Sequence, residues 1–382
     1  MTAVAAITGV HEGPLDNQGR ACVDIAAVCA ARAVADAGLR LADVDGVLAA
    51  FPFEEPSMMF AAEVADVLGL EPAYAETVCF GGASPAMMVP RAVRAIQSGI
   101  CEVLVLTAGG NRASKAGQAT ILAGLREVLS PEFEVPYGAF IPPVYALTAR
   151  RCMHDLGITE RQMAAVAVTQ REHAAAHPAA AMRTPLDIDA VLGSPVIASP
   201  LHRYDCCLVT DFGGAVVVMS AERAARAGGT PVWILGVGEA HDRLGTPNIP
   251  DLTRRGGARS GAAAFRQAGI GPADIDVACL YDSFTITVLL TLENLGLCGR
   301  GEAGPAAERG DLRVGGRLPV NPNGGMLSYR TGGISHLIEG VEQLRGTAKG
   351  LQVDGARRAV VHGIGGAMSS HATVVLSSEG PA

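Results

Sequence analysis

The passage Val78-Cys79-Phe80-Gly81-Gly82-Ala83-Ser84-Pro85 is built like a reactive corner. An apolar run ends in two glycines; Ser84 can cap a helix and Pro85 suits its first position. The helix is expected to continue to Gln97 and stop at Gly99, before a second apolar run over 101–107. Backbone N–H groups and the helix dipole favour negative charge at such an N-terminus. The nearest thiol, Cys79, precedes the turn. His362 ends another apolar run beside Gly363-Ile364-Gly365-Gly366, as either a hydrogen-bond donor or a structural histidine. Gly324-Gly325 and Gly365-Gly366 either admit backbone close to a bound group or simply make turns. His173 and His177 stand four apart, the spacing of two metal ligands on a helix. No carboxylate motif accompanies them, so a solvated face is expected and no metal site. His336 is expected to pack. The adjacent Cys206-Cys207 pair suits zinc poorly, and Gly236-Val237-Gly238 lacks the third glycine of a dinucleotide fingerprint.

An internal repeat organises the elements that position these residues. Ala37-Gly38-Leu39 and Ala42-Asp43-Val44-Asp45 recur as Ala268-Gly269-Ile270 and Ala273-Asp274-Ile275-Asp276. Each copy closes a helical pattern at glycine and leads into an apolar run, 46–51 in the first and 277–284 in the second. Further on, the turn and helix over 81–99 match a turn at 321–325 and a helix over 334–345, with strand-like runs at 356–366 and 371–378. The fold class is therefore α/β, built from two duplicated βαβ-rich halves with buried sheets. The expected halves are 1–225, with an inserted loop region at about 111–200, and 226–382. The 382 residues are enough for two or three domains, and 49% hydrophobic content with 47 glycines implies well-filled cores and many tight turns. A net charge of −8 without like-charge blocks argues against nucleic acid, and no apolar run is long enough to span a membrane. Nine cysteines without a C-x-x-C pair and no secretory signature fit reduced thiols and a cytoplasmic location.

These pieces resemble the thiolase superfamily. They look most like the branch that holds the thiolase domain of sterol carrier protein X and the bacterial lipid-transfer acyl-CoA aldolases. The segments that carry the resemblance are DIDVACLYDSFTITVLLTLENLGLC (274–298), LPVNPNGGMLSYRTGG (318–333), DCCLVTDFGGAVVV (205–218) and PYGAFIPPVYALTARRCMHDLG (136–157). The implied thiolase fold layers the two halves as α-β-α-β-α around an inserted loop domain. The family's acylated cysteine falls on Gly82, counting back from Gly99. Its Asn or His falls on Tyr281, its G-H-P histidine on Thr331 and its second cysteine on Gly363. All four positions of a condensing thiolase have changed, and covalent acyl transfer needs a nucleophile that glycine does not supply.

The resemblance instead implies a retro-aldol cleavage of a β-hydroxyacyl-CoA, with a steroid side chain as one possible acyl group. That reaction needs a base, donors for the enolate oxygen and an acid. Tyr281 and Tyr329, which match the branch's Y-D-x-F-T and G-G-x-L-S-Y segments, are expected to share the proton transfers. Asp282 and His362 are expected to assist, while Gly82, Ser84, Gly324, Gly325, Gly365 and Gly366 form the acyl-binding surface. The alternatives are a thiolase or acyltransferase that uses Cys79, and a non-catalytic acyl-CoA-binding or scaffold subunit. No cofactor is expected beyond the CoA thioester substrate, with zinc only in a partner chain. A homodimer is implied, or a heterotetramer with a small zinc-ribbon/OB-fold partner.

Overall fold

The computed structural model describes residues 4–14, 16–115, 129–138 and 140–380. Part of the expected insertion, residues 116–128, lies outside them. The chain forms β1 (Ala5–Glu12), α1 (Cys22–Asp36), β2 (Gly46–Ala50), α2 (Phe60–Val67), β3 (Tyr74–Val78), α3 (Ser84–Gln97) and β4 (Val103–Gly110). Then come α4 (Ile141–Leu156), α5 (Glu160–Ala176), α6 (Ile188–Leu192), the ribbon β5 (Val196–Ala198) and β6 (Leu201–His202), β7 (Phe212–Ser220) and α7 (Ala221–Arg226). The rest comprises β8 (Val232–His241), α8 (Gly257–Ala268), β9 (Val277–Leu280), α9 (Thr285–Asn294), α10 (Ala303–Arg309), α11 (Ile334–Arg345), β10 (Arg358–Gly365) and β11 (Ser370–Ser377).

Nine strands pair in the order β3-β2-β4-β7-β1-β8-β11-β10-β9. A parallel bridge from Ala278 to Val320 extends the β9 edge. Each half therefore repeats one order, third-second-fourth-fifth-first, and the halves join where β1 meets β8 antiparallel over Ala5–Ile7. In the first half β2 runs parallel to β3 and β4; in the second β9 runs parallel to β10. Helices α3 and α11 share one apolar cluster with strands of both halves, so they form the middle layer. Separate clusters hold α1 and α2 on one outer face, and α8, α9 and the α4–α5 pair on the other. A helix packed between the two halves of the sheet has no solvent stripe, and α11 is buried on every side from Ile334 to Leu344.

Two sequence expectations change here. The apolar run 277–284 is a strand only to Leu280; Tyr281, Asp282 and Ser283 form a loop before α9. The face of α5 carrying His173 and His177 is not solvated: both are buried. His173 Nε2 accepts the Val314 N–H and Nδ1 donates to the Asn321 carbonyl, while His177 packs on the Tyr329 ring at 4.3 Å. The partners of the two rings, Val314, Asn321 and Tyr329, come from the second half, beyond the reach of a local pattern.

The glycines of 236–238 serve packing. A Cβ on Gly236 would meet the Ala264 carbonyl oxygen at 2.1 Å, and one on Gly9 would meet that of Ala33 at the same distance. The first strand and first helix of each half thus approach through matching glycines. Gly236→Ala is expected to destabilise the protein by about 1–3 kcal/mol through overpacking. Gly228→Ala, with nothing near its added carbon, should leave the urea midpoint almost unchanged. A second expectation concerns Glu339 on α11, whose carboxylate is buried and accepts from Gln343 Nε2 at 2.8 Å. Burial pushes its pKa up to about 8. The folded protein then holds a proton that the unfolded chain releases near 4.5, so stability is lost as pH rises from about 5 to 8. Melting curves across this range should fall more steeply for the native chain than for Glu339→Gln.

Candidate functional site

A cavity of about 450 Å3 opens where the carboxyl ends of the parallel strands converge. This is where open α/β sheets place ligands, and the volume suits a small-molecule site of roughly 300–1,000 Å3. Past β2 come Phe51, Phe53 and Glu54; past β3, Gly81 and Gly82; past β4, Arg112. The second half supplies Tyr281 and Ser283 past β9 and Gly366 past β10. Thr331, Gly332 and Gly333 complete the wall between a π-helical turn, Gly325–Tyr329, and α11. Five of the chain's nine phenylalanines, Phe51, Phe53, Phe140, Phe212 and Phe284, line the cavity. The surface therefore suits a bulky apolar group.

The tightest geometry joins Gly82 and Tyr281. A Cβ placed on Gly82 would lie 2.2 Å from Tyr281 Cζ and 2.3 Å from its hydroxyl oxygen. The phenol thus fills the space that a side chain at position 82 would occupy. Burial raises the Tyr281 pKa above its ordinary value, so the hydroxyl keeps its proton and can donate it. Tyr145 lines the same cavity, with its hydroxyl 3.3 Å from the Gly366 carbonyl oxygen, and burial pushes it up to about 12. Cys207, also on the wall, is pushed up to about 12 by burial and then by Asp282, so it remains a thiol.

Asp282, with no exposed surface, faces away from the cavity and holds its wall. Its Oδ1 accepts the Met326 N–H at 2.8 Å and lies 2.9 Å from His336 Nε2; its Oδ2 accepts the Leu327 N–H at 3.1 Å. A Cβ on Gly325 would strike Asp282 Oδ2, and one on Gly324, where φ is +99°, would strike Ala174. Both glycines serve this close packing and neither lines the cavity. Ser84 is the first residue of α3, with its Oγ accepting the Phe80 N–H at 2.8 Å behind the wall. Gly365 packs on the Phe80 carbonyl, whereas Gly366 reaches the cavity.

Tyr329 and His362 stand elsewhere. The Tyr329 hydroxyl donates to Glu12 Oε2 at 2.5 Å and lines a second cavity. His362 is buried against Thr373 (2.9 Å) and His371 (3.2 Å), and burial holds its pKa well below 6.5. Cys79 is exposed and is not among the cavity residues.

Sequence reasoning missed Glu54 and Arg112, whose side chains pair at 2.6 Å on the cavity wall. Each stands just beyond the apolar run of a parallel strand, and that position was their signal. Among the described residues no cluster of three or more His, Cys, Asp and Glu side chains could hold a metal ion. Among them, too, no helix is long and apolar enough to cross a membrane.

Comparison with known proteins agrees with this architecture. Residues 238–378 match the thiolase C-terminal domain-like family. The chain is 35% identical over 364 residues to 17-hydroxy-3-oxo-4-pregnene-20-carboxyl-CoA lyase of Mycobacterium tuberculosis, covering 91% of this chain and 93% of the relative. It is 34% identical over 367 residues to the steroid side-chain-cleaving aldolase of Thermomonospora curvata, covering 91% and 92%. The solved structure of the Ltp2-ChsH2(DUF35) aldolase superposes with a TM-score of 0.88 at 32% identity, covering 98% of each chain. The chain belongs to the thiolase superfamily, in the branch of sterol carrier protein-type thiolases and lipid-transfer acyl-CoA aldolases.

Proposed function

We propose that this chain is an acyl-CoA aldolase that cleaves a β-hydroxyacyl-CoA, with a steroid-like acyl group, into a ketone or aldehyde and a shorter acyl-CoA. The observation that carries this reading is the protonated Tyr281 phenol over Gly82: a proton donor stands where a covalent nucleophile would. The β-hydroxyl gives up its proton, the Cα–Cβ bond breaks and the carbonyl product leaves. The electron pair remains on the acyl-CoA as a thioester enolate, whose oxygen needs donors and whose carbon needs a proton. Tyr281 supplies a donor and an acid. Glu54, the carboxylate on the wall, is placed to take the β-hydroxyl proton, with Arg112 orienting it. The turn that leads into α3, through Gly81 and Gly82, brings backbone and helix dipole to the developing oxyanion. Tyr329 acts indirectly, by fixing the far side of the Gly325–Tyr329 turn through Glu12. The lyase and aldolase names of the relatives and the phenylalanine-lined wall support the same substrate class.

A partner of the DUF35 type, as named in the similar solved structure, fits an exposed apolar surface outside the cavity. Phe133, Tyr137 and Leu244 are all more than half exposed. Glu134 ties their segments together by accepting the Thr246 N–H at 3.0 Å.

Tyr281→Phe is expected to lower kcat for cleavage of a β-hydroxyacyl-CoA by about 100-fold or more, and Glu54→Gln by a comparable factor. Tyr329→Phe should cost less. Near-native turnover in Tyr281→Phe, or thiolysis of β-ketoacyl-CoA with a trapped acyl-cysteine at Cys79, would overturn the assignment. With a DUF35-type partner, the triple change Phe133→Ser, Tyr137→Ser and Leu244→Ser should abolish co-elution in gel filtration; unchanged co-elution would exclude this surface.

A further inference from the structure

The second cavity, about 530 Å3, lies between the end of β1, the start of α1 and the segment after the π-helical turn. Its lining carries four cations, Arg20, Arg32, Arg330 and Lys349, against one carboxylate, Glu12. Glu12 is engaged by the Tyr329 hydroxyl, and Lys349 pairs with Glu342 at 2.7 Å. Arg20 and Arg32 make no ion pair among the described residues. Arg330 is only 2% exposed, and one of its nitrogens donates to the Gly13 carbonyl at 2.5 Å. Its Nε stands 3.6 Å from Glu12 Oε1, and neither atom has a hydrogen-bond partner. The pair is an ionic contact only, and a buried guanidinium nitrogen left without a hydrogen bond is costly. Cations converging on a concave site favour a ligand with at least two negative charges.

We propose that this cavity binds a phosphate group, free or carried on a small molecule, between Arg330 at the back and Arg20, Arg32 and Lys349 at the mouth. The site is distinct from the first cavity yet shares a wall with it. Met326, Thr331, Gly332 and Gly333 line the first cavity, while Tyr329 and Arg330, within the same stretch, line the second. Occupancy of one cavity therefore bears on the segment that walls the other.

The test needs no turnover, so it stands apart from the aldolase assignment. Inorganic phosphate and glycerol 3-phosphate are titrated calorimetrically into the full chain at fixed ionic strength, with chloride as control. The expected result is saturable one-site binding of one or both ligands, weakened about tenfold or more in Arg20→Ala/Arg32→Ala. Bound ligand should also slow amide hydrogen exchange across 326–333. Tighter binding of glycerol 3-phosphate assigns the site to an organic monoester, and tighter binding of inorganic phosphate to the free anion. Absence of saturable binding by either, or unchanged affinity in the folded double variant, would overturn the proposal.

Discussion

A single buried carboxylate holds the candidate site together. Asp282 gathers two backbone N–H groups of the π-helical turn and the ring of His336 on α11. It thereby locks the loop after β9 to the turn at Gly325 and to the helix of the middle layer. A buried carboxylate is tolerated only when donors surround it, and losing one partner strands the others without water. Tyr281 precedes Asp282 in the chain, and Met326 is one of the two residues it holds, so a shift there moves both walls of the cavity. The residue expected to assist proton transfer instead fixes the position of the residue that can perform it.

The duplicated architecture was legible because its signals are local. Glycine-closed helices followed by apolar runs marked α1–β2 and α8–β9, and the helix over 334–345 has the same limits in the structure. The parallel strands then bring their carboxyl ends together without any local cue, so the cavity joins residues from the 50s, 80s, 110s, 280s and 330s. Glu54 and Arg112 were missed because their meaning depends on this convergence. Tyr329 and His362 were read as active-site groups because of where they stand in a motif. Their side chains follow the facing of the turn and of β10, which a motif does not encode. Burial of His173 and His177 likewise depends on a neighbour distant in sequence.

The two cavities show how one fold separates chemical environments. The first is walled by phenylalanines and by phenols and thiols whose protons are held by burial. The second gathers guanidinium and ammonium groups from three parts of the chain around Arg330, a few residues away along the same segment. The twofold repetition explains the contrast. The first cavity lies where the parallel strand ends of both halves meet, whereas the second lies where β1 runs out beside α1, under the return of the chain toward α11.

The contact between Gly82 and Tyr281 has a consequence for how such a site can change through evolution. A side chain at position 82 cannot share the space of the Tyr281 phenol as it stands, so one of the two must move. With the phenol where it stands, a larger residue at 82 collides with it, and with a smaller residue at 281 the glycine leaves a hole in the cavity wall. The two positions are therefore coupled, and a substitution at either one is felt at the other. The contact thus ties the two halves of the fold into a single choice: what one half places at position 82 limits what the other can place at 281.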